Sequence, residues 1–336
     1  MDRLKKILQW LIPLLLGLLL FWLVYRKMDL KAIGDILSLG LNWQWVAVYF
    51  LFFLLPMILR GLRWKQLIDP VCPGGRTLDV ILSVFIAYGA NLLFPRIGEV
   101  ARCGTLRRYN GLNFSKTLGT VVTERAFDIL CLLLMALAAL VLQIDVFRDF
   151  LRENPDTASR LVGKLFSWKL WTIVAAVAAG IVVALRVLRR RPVWQKVAGF
   201  FRQLWEGMLS IRTVRHPLLF IAYTIGIWGT YFLSFYVGQF FFHISFGLGL
   251  AAMFTAYVMG SFGVVAPVQG GIGAWHFMVI FTLTFYGIGQ VEAGTFAFTV
   301  HGLNTLLTIV CGLAAWAWVA AAYRIRARKS GQPSAV

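Results

Sequence analysis

The sequence predicts an all-α protein, a polytopic integral membrane helical bundle, and three observations lead there. Of 336 residues, 60% are hydrophobic and only 14% charged. The apolar residues fall in long blocks and not at the three-to-four-residue spacing of an amphipathic helix in water. One stretch, 217–291, runs 75 residues without a single Asp, Glu, Lys or Arg, so it must contain several membrane-embedded helices joined by short connections. A soluble core is excluded, because no globular domain could cover that much apolar surface with so few polar residues.

The first block, 7–25, follows Lys5 and Lys6 as a signal peptide would. It is too long for a cleaved apolar region and ends in Val24, Tyr25, Arg26 and Lys27 where cleavage needs small residues. It is therefore expected to stay as a span. Further full spans are predicted at 43–60, 116–144, 169–186, 217–241 and 293–323, about six in all by the length that a bilayer requires. The four cysteines, at 72, 103, 131 and 311, have no zinc-ligand spacing and read as packing residues.

A net charge of +19 would suggest nucleic acid in a soluble protein. Sorted by side of the membrane, it means something else. With the N-terminus in the cytoplasm, the inner segments 1–6, 60–79, 96–116, 186–215 and 324–329 carry 24 Lys and Arg against five Asp and Glu, whereas the outer segments 26–42, 143–169 and 287–292 carry eight against seven. That asymmetry is the positive-inside rule, with both termini cytoplasmic in a plasma (inner) membrane, and it removes nucleic acid as a partner. Segment 145–169 reads as an outer loop or surface helix. Segment 186–215, with eight basic residues interleaved with Trp194, Phe200, Phe201 and Trp205, reads as an interfacial helix on anionic lipid.

Two apolar segments do not fit as full spans. The first, 77–95, has basic residues at both ends and must enter from the cytoplasm and turn back; the second, about 248–287, must enter and leave from outside. Their breaks look alike: Pro95 is followed by Ile97 and Gly98, and Pro267 by Ile272 and Gly273. Two oppositely oriented re-entrant broken helices at matching positions predict an inverted repeat, with a first half at 1–144, a second at 169–323 and a basic tail at 324–336, in a single domain.

The chemistry concentrates at three places. Glu124, Arg125 and Asp128 begin about 12 Å inside the membrane, eight residues into a helix. Glu124 and Asp128 share a helix face, and Arg125 can pair with Asp128. Charges at that depth cost about 2.5–3.5 kcal/mol each, so the cluster must be mutually paired or face water or a polar ligand. Two acids with one base call for a further cation. Arg96, Glu99 and Arg102 recur at three-residue spacing in a helix opening after Pro95, where free amides and the helix dipole would favour a phosphate. Either Arg96 or Arg102 is expected to join the acids. Arg60, Arg63 and Trp64 end the second span, where snorkelling to the interface explains them as well as headgroup binding does. On the outer side, Pro267, Gln269, Gly270, Gly271 and Gly273 offer backbone at membrane depth and a hinge.

Catalysis finds little support. Ser261 with His276 or His301 would suggest a serine protease, but the serine of Gly260 to Gly263 stands in the wrong place of the tetrad. Glu124 and Asp128 have no histidine or third carboxylate at metal-ligand spacing, so neither a metal nor another cofactor is expected.

Asn91 with Pro95, Arg96, Gly98, Glu99 and Arg102, then Glu124, Arg125 and Asp128, then Gly270, Gly271 and Gly273 resemble the motifs of the lysylphosphatidylglycerol synthase transmembrane region, or flippase-like domain family. Arg60, Arg63 and Trp64 fit as well. The resemblance covers nearly the whole chain. It implies a lipid translocase that passes the headgroup of a phospholipid or polyprenyl-linked lipid between two inverted halves; the alternative is an enzyme or accessory subunit acting on a lipid or lipid-linked sugar. It leaves open a homodimer or a lipid-modifying enzyme as protein partner. No aminoacyl-transferring domain follows in this sequence, so lysyl transfer is not expected. Single cysteines at positions 107 and 200 should label from the cytoplasmic side and one at 155 from outside; an outward-facing 200 would overturn the topology.

Overall fold

A computed structural model of the chain describes residues 2–26, 28–153, 214–242 and 247–330, with isolated positions between 168 and 212. The expected span at 169–186 and interfacial helix at 186–215 lie outside this set, those isolated positions aside. Among the described residues the protein is all helical, without a strand.

Helices α1 (Asp2–Tyr25), α3 (Trp43–Ile68) and α6 (Phe114–Leu142) follow the first apolar blocks; α8 (Pro217–Val237) with its 3₁₀ turn Gly238–Phe241 and α11 (Gln290–Ser330) follow the later ones. Four of these, α3, α6, α8 with its turn, and Gln290–Ile325 of α11, are long and apolar enough to cross a membrane. Two short helices stand in segments read as outer connections: α2 (Leu30–Ser38), capped by the Asp29 carboxylate, and α7 (Ile144–Glu153). The basic tail begins as helix, because α11 continues to Ser330.

Both broken segments form helical hairpins. In the first, α4 (Thr77–Leu93) stops because Phe94 precedes a proline and is driven to extended backbone at φ −148° and ψ 132°. The chain turns through Arg96 and returns as α5 (Ile97–Asn110). Asn110 Nδ2 donates to Asp79 Oδ2 at 2.9 Å, which closes the base of the hairpin. Near the tip Gly98 lies so close to α4 that a β-carbon there would strike the Ala87 carbonyl. In the second hairpin, α9 (Leu250–Val265) ends before Pro267, the 3₁₀ turn Gln269–Gly271 forms the tip, and α10 (Ala274–Phe285) returns. Here too glycine permits contact: a β-carbon on Gly263 would lie 2.8 Å from Trp275 Cα.

The hairpins open toward opposite ends of the bundle. Tyr25, at the end of α1, donates its hydroxyl to Gly294 O near the start of α11 (3.0 Å), whereas Tyr323 near the end of α11 packs on Tyr109 at the base of the first hairpin (5.1 Å between rings). The start of α1, the end of α11 and the first base therefore share one end. The second hairpin follows Phe241, whose carbonyl accepts from Asn42 N at the opposite end, beside the start of α3. The tips meet in the middle: Arg96 Nη2 reaches Val265 O at 3.3 Å, and Gly270 packs on Leu92.

A Gly98→Ala substitution should spread the first hairpin and cost about 1–3 kcal/mol of stability. Gly104→Ala in the same helix, where nothing lies within 4 Å, should be neutral or gain up to about 1 kcal/mol. Thermal midpoints in detergent check the pair; equal midpoints would show that the close approach is dispensable.

Candidate functional site

The middle of the bundle holds a cluster of four arginines and three carboxylates drawn from three helices. Arg60 and Arg63, one turn apart on α3, face Glu124 and Asp128, one turn apart on α6, so that two matched rows cross-brace. Arg60 Nη1 donates to Glu124 Oε1 at 2.7 Å and to Asp128 Oδ2 at 2.6 Å. Arg63 Nη2 donates to Asp128 Oδ1 at 2.7 Å and to Glu124 Oε1 at 3.3 Å. From α5, Arg102 Nη1 reaches Glu124 Oε2 at 2.8 Å. The side chains of Arg63 and Glu124 are fully buried at 0% exposure.

Aromatic and hydroxyl groups line this cluster. The Arg102 guanidinium lies 4.3 Å from the Trp64 ring, and the Trp64 indole N–H donates to Thr120 Oγ1 at 2.9 Å. Arg63 lies over Phe220 and donates to Thr224 Oγ1, both on α8. Arg60 lies 6.0 Å from the Tyr88 ring, whose hydroxyl bonds that of Tyr231 at 2.7 Å and so ties α4 to α8.

One edge is looser. Arg125 is 38% exposed and Glu99 22%. Arg125 lies 3.6 Å from Glu99 Oε1 and from Glu124 Oε1, and 3.2 Å from Asp128 Oδ2, longer contacts than those of Arg60 and Arg102. Buried atoms without a hydrogen-bond partner among the described residues are spread through the cluster: Arg60 Nε, Arg63 Nε, Arg102 Nη2, Arg125 Nε and Glu99 Oε2. With four cations to three anions among the described residues, the cluster carries a net charge of +1.

Sequence reasoning placed the acids correctly in space and asked for a cation. Three answer, and only Arg102 was proposed for that part. Arg60 and Arg63 are buried and paired with the acids, which replaces the snorkelling alternative. The available signal was their three-residue spacing, which matches the four-residue spacing of Glu124 and Asp128. Arg96 is excluded from the cluster. It is exposed, holds left-handed backbone at φ 62°, and points to the other hairpin's tip. Nor is the N-terminus of α5 a set of open amides, since Asn91 Oδ1 accepts from Gly98 N at 2.7 Å and Phe94 O from Ile97 N.

At the second tip, Gln269 is buried with Oε1 unpartnered among the described residues, and His301 Nε2 reaches Gly270 O at 2.9 Å. The Ser261 hydroxyl donates to Tyr257 O of its own helix. No grouping of three or more metal-ligating side chains occurs among the described residues.

A multi-pass helical membrane protein with two opposed hairpins meeting beside a buried charge cluster is the class that this fold and site define. The chain belongs to the family described as the lysylphosphatidylglycerol synthase TM region, whose sequence profile matches residues 10–312. No curated protein and no solved structure matches it.

Replacing Arg102 by Met should strip Glu124 Oε2 of its charge-assisted hydrogen bond and cost about 1.5–3 kcal/mol, while Arg60 and Arg63 still hold Oε1. Arg96→Gln, which touches none of these carboxylates, should cost about 1 kcal/mol. Unfolding midpoints compare them; an equal loss would mean that Arg102 is no more part of the buried network than Arg96.

Proposed function

We propose that this protein moves an anionic phospholipid or polyprenyl-phosphate lipid between leaflets, its headgroup passing the arginine cluster while the acyl chains stay in lipid. The observation that carries this reading is the +1 imbalance together with the unpartnered guanidinium N–H groups. A network that served only to pin helices would balance its charges and satisfy its donors, because an unmatched buried cation is costly. Phosphate oxygens supply both the negative charge and several acceptors, in a geometry suited to guanidinium. Membership of a family of lipid-related membrane domains supports the same direction.

In this reading the two hairpins are corresponding elements of two inverted halves. The headgroup enters at the Glu99 and Arg125 edge and leaves past Pro267 and Gly273. The end that carries Lys65, Arg76, Arg107 and Arg108 faces the cytoplasm, as does each terminus, in a plasma membrane. Arg96 has a different part from the one its motif position suggested: by holding Val265 O it keeps the tips together.

Arg125 makes the longest contacts and is partly exposed, so it can be replaced without unpairing a fully buried acid. In liposomes, Arg125→Gln should slow exchange of labelled phosphatidylglycerol about tenfold or more, which corresponds to a charge-assisted contact of about 1.5 kcal/mol. Labelled phosphatidylcholine should be affected less. If the folded variant moves both lipids at the wild-type rate, the headgroup reading is wrong; if stability falls and rates do not, the cluster is a helix staple.

A further inference from the structure

The second tip holds two imidazoles, His276 buried and His301 half-buried, that the charge cluster does not use. His276 of α10 and His301 of α11 lie 4.5 Å apart between ring centroids. Phe21 and Tyr25 of α1 flank His276 at 5.2 and 5.7 Å, and Trp275 lies 5.2 Å from His301. Each imidazole grips the backbone of the glycine-rich tip. Gly273 N donates to His276 Nδ1 at 3.3 Å, and His301 Nε2 bonds Gly270 O at 2.9 Å. Both glycines have positive φ, 80° and 57°, and Gly273 is pressed against α1 so closely that a β-carbon would lie 2.6 Å from Phe21 N.

Donor and acceptor roles follow from the backbone groups. An amide N–H can only donate, so His276 Nδ1 holds a lone pair; a carbonyl can only accept, so His301 Nε2 carries hydrogen. The two rings therefore differ in what a proton would do to them. His301 can accept one on Nδ1, which lies 3.4 Å from Thr305 Oγ1, and keep its bond to Gly270. His276 cannot: a proton on Nδ1 sets N–H against N–H and breaks the hold on Gly273. The resulting imidazolium would sit among rings, and among the described residues no carboxylate is paired with either imidazole. A buried cation without a partner must hydrate, and here that requires the tip to move off α1.

We propose that the second hairpin tip is a proton-operated latch, with His276 as its proton site, and that the proton is thereby the coupling ion for lipid movement; the latter part rests on the translocase reading above. A hydronium ion in the medium transfers its proton to His276 Nδ1 and leaves as water. The new N–H bond replaces the Gly273 hydrogen bond, and the positive-φ glycines let the tip swing. Among the described residues, the titratable or charged groups around the site are Tyr25 of α1, its hydroxyl bonded to Gly294 O, His301 of α11, and Arg96 of the first tip, bonded to Val265 O. From α9 the packed residues are Gly260, Gly263 and Val264, which do not titrate.

The test uses full-length protein in lipid nanodiscs with spin labels at Leu93 and Phe277, exposed positions on the two hairpins. Between about pH 8 and pH 5, where imidazole titrates, the population with separated tips should grow by up to about tenfold per pH unit, the limit for one proton. His276→Asn keeps an acceptor at the Nδ1 position and does not titrate, so its distances should not respond to pH. His301→Asn should still respond. Unchanged wild-type distances, or a response of the His276→Asn variant equal to that of wild type, overturn the latch, and the wild-type measurement decides even where a variant fails to fold. Exchange of labelled phosphatidylglycerol in liposomes separates the two readings. Tips that part in acid without any lipid moving uphold the latch and end the translocase reading. Lipid that moves at one rate at every pH, with or without a proton gradient, ends the proton coupling alone.

Discussion

The cross-brace between Arg60 and Arg63 on one helix and Glu124 and Asp128 on another is the interaction on which the rest of the arrangement depends. In an apolar bundle there is no water to take over a released carboxylate, so α3 and α6 must keep the rotation and axial register that bring the two rows together. Arg102 then draws α5, and with it the first hairpin, to the same point. Tyr88, Tyr231 and Thr224 add α4 and α8 through weaker hydroxyl bonds. Apolar packing alone gives little orientational preference in lipid, because the surrounding tails are as apolar as the helix faces.

Small residues set the other constraint. Gly61 against Ile81, Gly98 against Ala87 and Gly89 against Gly312 let α4 approach α3, α5 and α11 at backbone contact. The first hairpin is thus packed on three sides, and its tip is the part left to meet the second. That junction combines a strained residue, Arg96, with three glycines of positive φ. Rigid packing beneath and conformational freedom at the tips is the division of labour expected where a helix pair must open without disturbing the charge network below it.

The cluster is graded in saturation. Its inner members, Glu124 and Arg63, have multiple contacts and no exposure, while Glu99 and Arg125 at the edge are partly exposed and meet at 3.6 Å. Buried ion pairs are poor sources of stability compared with apolar packing.

Much of this was legible in the sequence because it depends on local pattern. Hydropathy over about 20 residues marks spans, a proline forces the residue before it out of helix, and i, i+4 spacing puts Glu124 and Asp128 on one face. The membrane class, both helical breaks and the acidic half of the cluster followed from those rules. Which arginines answer the acids did not, since the sequence puts Arg60, Arg63, Arg96 and Arg102 alike beside the apolar blocks, and the choice among them rests on the rotation of α3 and the fold-back of α5. Only the tertiary structure turned Arg96 outward to the other tip. It also brought His301, from the following helix, over His276, because ring contact between two helices is set by their relative rotation and depth, which no periodicity within either one contains.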